Sequence, residues 1–167
     1  MRHAKSCWDD PSLDDFDRPL NKRGRKAARR MAAHLKTNGL RPALVLCSAA
    51  CRTAETLDLM GPALEGVSVS VERELYEASK GKLLTRLRSL DDHLASVLLI
   101  GHNPGLGRLA EALCAGHGDA KARERLAAKL PTGALVVLET DAAHWGGLED
   151  GSCRLVSFVT PADLDRE

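Results

Sequence analysis

A chain of 167 residues with 44% hydrophobic content is long enough to bury one sizeable core and too short to expect two, so residues 1–167 are expected to form a single domain. A formal charge of +1 and 3% aromatics provide neither a global field for nucleic acid or a membrane surface nor rings on which bases would stack. The five cysteines form no framework, and no leader-like or membrane-spanning apolar run is present, which predicts a cytoplasmic, thiol-reduced protein.

In chain order, Arg2-His3 comes first, followed by a helix that opens at Asn21 as N-cap. That helix carries Ala27, Ala28, Met31 and Leu35 on one face and stops at Asn38-Gly39. Its basic face is read as solvated surface. Short apolar runs at Leu44 to Cys47, Val67 to Val71, Val97 to Ile100, Ala134 to Leu138 and Leu155 to Val159 predict buried strands. Between them, helical spacing appears over Thr53 to Met60, Leu83 to Leu90, Leu106 to Leu113 and Ala122 to Ala128. This alternation predicts an α/β domain whose sheet is covered on both faces.

In such sheets ligands meet the loops at the carboxyl ends of the strands. Three predicted strand ends run into polar groups: Ser48 to Thr53, Glu74 to Glu77, and Gly101-His102-Asn103-Pro104-Gly105. Brought together with Arg2-His3, these supply two guanidinium forks for phosphate oxygens and two imidazoles. Phosphoryl transfer needs little more than an in-line nucleophile and positive groups around the equatorial oxygens. One imidazole would be phosphorylated while the other donates to oxygen, and guanidinium groups beside the nucleophile favour its neutral form. On that basis activity should already fall by about pH 5, as His3 protonates.

The motifs Arg2-His3-Ala4-Lys5, Arg18-Pro19-Leu20-Asn21 with Gly24, Ser48 with Arg52-Thr53, Leu75-Tyr76-Glu77-Ala78 and Gly101-His102-Asn103-Pro104-Gly105 resemble the histidine phosphatase superfamily, in its phosphohistidine phosphatase (SixA-type) branch. Leu130-Pro131-Thr132-Gly133-Ala134 and Phe158-Val159-Thr160-Pro161 extend the resemblance over nearly the whole chain. It implies a phosphoglycerate mutase-like, three-layer α/β/α sandwich with a mostly parallel central sheet. It also implies His3 as phosphoryl acceptor, with Arg2, Arg52 and His102 as the phosphate pocket and no metal or other cofactor. Glu77 would be the acid, ahead of Glu74, and Arg18, Lys5, Ser6 and Asn103 would be further phosphate or substrate contacts. The implied substrate is a phosphorylated protein, through its phosphohistidine. Two departures stand out: Ala49 where the family usually has proline, and no strand ahead of Arg2-His3, so a first strand is expected to be missing upstream of residue 1.

Three rivals are weighed against this. A small-molecule phosphomonoesterase or mutase on the same scaffold would need substrate-covering insertions for which a short chain has little room. A cysteine phosphatase is suggested by Cys47 ahead of Arg52, but the interval is too short and lacks glycines at the turn. A silent phosphate-binding module would have less reason to keep all four pocket residues. His34, His93, His117 and His144 have no comparable companions and are assigned to surface or packing roles.

Overall fold

The structure, a computed structural model, describes residues 1–165. Helix α1 (Lys22–Thr37) starts where the Asn21 side chain accepts the Gly24 N–H at 2.8 Å. It ends at Gly39, whose φ of 63° suits a residue without a side chain. Strand β1 (Leu44–Ser48) pairs in parallel with β2 (Ser68–Glu72) on one side and β3 (Val97–Ile100) on the other. Helix α2 (Cys51–Met60) follows β1, α3 (Lys80–Arg88) precedes β3, and α4 (Gly105–Leu113) and α5 (Ala120–Ala128) follow it. Strands β4 (Leu135–Thr140) and β5 (Cys153–Val159) form an antiparallel pair.

Alternation along the strands sorts the core into two sides. Val45, Cys47, Leu98 and Ile100 pack with Met31, Leu35 and Met60 beneath α1 and α2. Leu46 and Leu99 point the other way, into the cluster of Leu83, Leu87, Leu106 and Leu109 from α3 and α4. The result is the expected three-layer α/β/α arrangement with a parallel central sheet.

The first three residues join the two strand groups. Gly101 N–H donates to the Met1 carbonyl and His3 N–H to the Gly101 carbonyl, each at 3.1 Å, while Arg2 N–H reaches the Ala134 carbonyl at 3.0 Å. Met1 is buried, and its amino group donates to the Leu99 carbonyl at 2.7 Å. From Met1 an apolar cavity of about 420 Å³ runs between β3 and β4, lined by Val97, Leu98 and Leu99 on one side and Val136, Val137 and Leu138 on the other. The parallel order also brings the carboxyl ends of β1 and β3 to one rim, beside His3.

Candidate active site

Each pocket residue leaves a strand end or helix start. His3 is anchored through its own backbone to Gly101, the residue before His102. Gly24 lets α1 press onto this segment, since a Cβ there would run into the Lys5 carbonyl. Arg52 lies in the first turn of α2, directly beyond β1. His3, Arg52 and His102 are 6%, 6% and 4% exposed, and with Arg2 all three line one cavity of about 310 Å³. Residues dozens of positions apart in sequence thus share one small space.

The hydrogen bonds assign the ring nitrogens. His3 Nδ1 donates to the Ala4 carbonyl at 2.7 Å, which leaves Nε2 as the lone-pair nitrogen, and that atom accepts from Arg52 Nε at 3.3 Å. Burial first, opposed by the Ala4 bond and aided by the Arg52 and Arg2 charges, pushes the His3 pKa down to about 4. The guanidinium groups act in the direction expected, but desolvation outweighs them. The His3 imidazole is therefore mostly neutral at pH 5, and the loss of activity expected there moves toward pH 4.

The second imidazole is held by Ser48, whose Oγ accepts the Ala50 N–H at 3.3 Å and shares a hydrogen bond with His102 Nε2 at 2.7 Å. The other ring nitrogen, His102 Nδ1, is buried and has no partner among the described residues. Burial and then the Arg52 charge push the His102 pKa down to about 3, so the ring is neutral. The ring centroids of His3 and His102 are 5.3 Å apart.

Sequence reasoning did not single out Asp15, Tyr76 or Trp8. Asp15, in a 3-10 turn at Asp15–Asp17, takes both terminal nitrogens of Arg52: Nη1 donates to its carbonyl at 2.6 Å and Nη2 to Oδ2 at 2.9 Å. Tyr76 OH donates to the same Oδ2 at 2.5 Å, and its ring stands edge-on to His102 at 5.3 Å. Burial opposes the charge on Asp15, but the bonds from Tyr76 and Arg52 prevail and hold its carboxyl below the usual range. Tyr76 is pushed up to about 12 by burial and by Asp15. Trp8 lines the cavity from its rim.

The remaining expected residues fall in different places. Lys5, Ser6 and Asn103 line the cavity. The Asn103 amide is engaged, donating to the Leu130 carbonyl at 3.0 Å and accepting from Gly107 N–H at 3.2 Å. Arg18 lies outside the lining and braces the loop before it, donating to the Asp10 and Leu13 carbonyls at 3.0 Å. Glu77 is exposed, with a φ of 49°, and also lies outside the lining. Cys47 is fully buried in β1, where burial pushes its thiol up to about 12, which disposes of a cysteine nucleophile.

Cationic and neutral donors dominate this cavity, and its one carboxylate is tied to Arg52. That set suits an oxyanion better than a metal cation. Among the described residues no cluster of metal-ligating side chains forms elsewhere, and no helix is long and apolar enough to cross a membrane.

Residues 1–96 match the sequence profile of the histidine phosphatase superfamily (branch 1). An uncharacterised protein of Mycobacterium tuberculosis H37Rv is 36% identical over 162 residues, covering 96% of this chain and 99% of its own. Phosphohistidine phosphatase SixA of Escherichia coli K12 is 35% identical over 119 residues, 70% of this chain and 73% of SixA. Among solved structures, the protein histidine phosphatase SixA complexed with tungstate superposes with a TM-score of 0.78 at 28% identity, over 98% of this chain and 96% of that one.

Proposed function

The chain belongs to the histidine phosphatase superfamily, and from that premise we propose that it hydrolyses protein phosphohistidine, without a metal, through a phosphoryl intermediate on His3. The observation that carries this is the lone pair on His3 Nε2, in one cavity with Arg2, Arg52 and His102. The structure of SixA was solved as a complex with tungstate, an oxyanion, and cationic donors gathered in one cavity favour the same kind of ligand here.

In the first step His3 Nε2 bonds to phosphorus as the bond from phosphorus to the leaving nitrogen breaks. The leaving nitrogen keeps that electron pair and takes a proton from solvent. His3 is then a phosphoimidazolium whose Nδ1–H is held by the Ala4 carbonyl, which faces the new positive charge. Water attacks phosphorus in the second step, the electron pair returns to Nε2, and phosphate leaves with the water oxygen. Arg2, Arg52 and His102 hold the phosphoryl oxygens throughout.

A phosphoramidate leaving group needs little acid catalysis, which agrees with the surroundings of both candidate carboxyls. Asp15 is held ionised and Glu77 stands outside the cavity. Five free thiols fit the cytoplasm of a cell, where a phosphohistidine-bearing carrier protein would be met. The proposal is tested by brief exposure to a labelled phosphohistidine carrier, followed by quench. Wild type should carry an acid-labile, alkali-stable label and His3→Ala none. Turnover without label would remove His3 as nucleophile, and a strong preference for sugar or nucleotide phosphates would remove the substrate assignment.

A further inference from the structure

Trp8 is 65% exposed, the most exposed large hydrophobic among the described residues. The others, Val69, Val71 and Val156, lie on β2 and β5, away from the cavity that Trp8 lines. An indole left in water at the mouth of a site costs solubility unless something uses it. This one is also held in position. Its Nε1–H donates to Ser6 Oγ at 3.1 Å, and the Arg18 guanidinium carbon lies 4.2 Å from its ring centroid. Arg18 is itself buried and tied to the Asp10 and Leu13 carbonyls. One face of the indole is thereby covered by a fixed cation while the ring as a whole stays largely in solvent.

Resting on the function proposed above, we propose that Trp8 is a specificity-determining residue, the platform on which the leaving group's ring stacks while its phosphoryl group sits among Arg2, His3, Arg52 and His102. The indole is electron-rich on its faces and a protonated imidazole is a flat cation, so ring stacking and cation–π attraction act in the same direction. A sugar or an alkyl leaving group gains neither. Because the indole is oriented before substrate arrives, little ordering cost offsets the contact. The phosphate groups explain how a phosphoryl donor is held; Trp8 explains why a histidine-borne one is preferred.

Two donors with the same phosphorus–nitrogen bond separate this from a structural role: a phosphohistidine carrier and phosphoramidate, which has no ring. Trp8→Ala should lower the ratio of kcat/KM for the carrier over phosphoramidate by about tenfold, the size of a ring-stacking contribution. Trp8→Phe should restore most of that ratio. As a binding readout, Trp145→Phe leaves Trp8 as the sole indole. In that chain also carrying His3→Ala, phosphohistidine should quench Trp8 fluorescence and phosphoramidate should not. Equal losses on both donors, or identical fluorescence responses, overturn the role of Trp8 alone. A wild-type chain that hydrolyses phosphoramidate but leaves the phosphohistidine carrier untouched overturns the parent function, and this inference with it.

Discussion

The floor of the pocket and its rim are built on different principles. On the floor, His3, Arg52 and His102 are almost fully buried, and their positions follow from backbone: the bonds from Met1 and His3 to Gly101, the end of β1, the first turn of α2. On the rim, Trp8, Asp15 and Arg18 belong to a loop held largely by side-chain contacts, with Trp8 and much of Asp15 open to solvent. Rigid strand ends suit groups that must meet a phosphorus atom within a few tenths of an ångström, whereas a loop suits groups that greet one leaving group or another. Floor substitutions should therefore cut catalysis on every donor, and rim substitutions should change which donor is favoured or how tightly donors bind.

The largest expected break comes from the floor. Arg52→Ala removes the group that touches His3 Nε2 and, in the proposed function, a cationic donor to the phosphoryl oxygens. Loss of one such preorganised donor typically lowers kcat by about 10²- to 10³-fold. Arg52 lies at the upper end, about 10³-fold, because it also orients the nucleophile. The fall should be similar for a phosphohistidine carrier and for phosphoramidate. A fall confined to one donor would erase the distinction between floor and rim.

How legible each region was in the sequence follows from the same contrast. The strands and helices were visible because apolar runs and helical stripes report burial: Leu44 to Cys47 became β1, and Ala28, Met31 and Leu35 became the buried face of α1. Arg52 and His102 were visible because each follows a predicted strand end, and Arg2-His3 because the family resemblance opens on that pair. Trp8, Asp15 and Tyr76 were not, because no periodicity says where a loop side chain points. The one available signal was a run rich in carboxylates, Asp9, Asp10, Asp14, Asp15 and Asp17, lying between two basic motifs expected near phosphate. Glu77 was preferred to Glu74 on the family resemblance, while its neighbour Tyr76, the chain's single tyrosine, is the one that reaches Asp15. That β4 and β5 form a separate antiparallel pair was not foreseen, since spacing along the chain carries no information on how strand edges face one another.

Acid titration tests the floor by a second route. Burial is the leading cause of both large shifts there: His3 falls from 6.5 to about 4 and His102 to about 3. Between each folded value and its unfolded one the unfolded chain binds the extra proton, so stability falls as pH falls. The loss begins below pH 6.5 for both imidazoles. Each group contributes a slope of about 1.4 kcal/mol per pH unit inside its window. Urea unfolding at a series of pH values should show this, and His3→Ala should flatten the part between about pH 6.5 and pH 4. An unchanged slope in that variant would mean that His3 is not held neutral by burial. Over the same range kcat/KM should stay level to about pH 5 and drop toward pH 4.

The smallest effect, and the sharpest on the rim, is expected from Asp15→Asn. The carboxylate does two opposed things: it fixes the Arg52 fork and it places a negative charge against an incoming phosphoryl group. The substituted amide oxygen still accepts from Arg52 or Tyr76, and the backbone carbonyl that takes Arg52 Nη1 is untouched, so orientation largely survives. What disappears is the charge. KM should fall by about tenfold, equivalent to about 1.4 kcal/mol, for both donors, with kcat changing less, and the gain should shrink as salt screens the cavity mouth. The opposite pattern, a kcat loss beyond about 10²-fold together with a lost limb of the pH–rate profile, would make Asp15 a proton donor during turnover. A carboxyl held below its ordinary range by Tyr76 and Arg52 is poorly suited to that task, so the KM effect is the one the geometry supports.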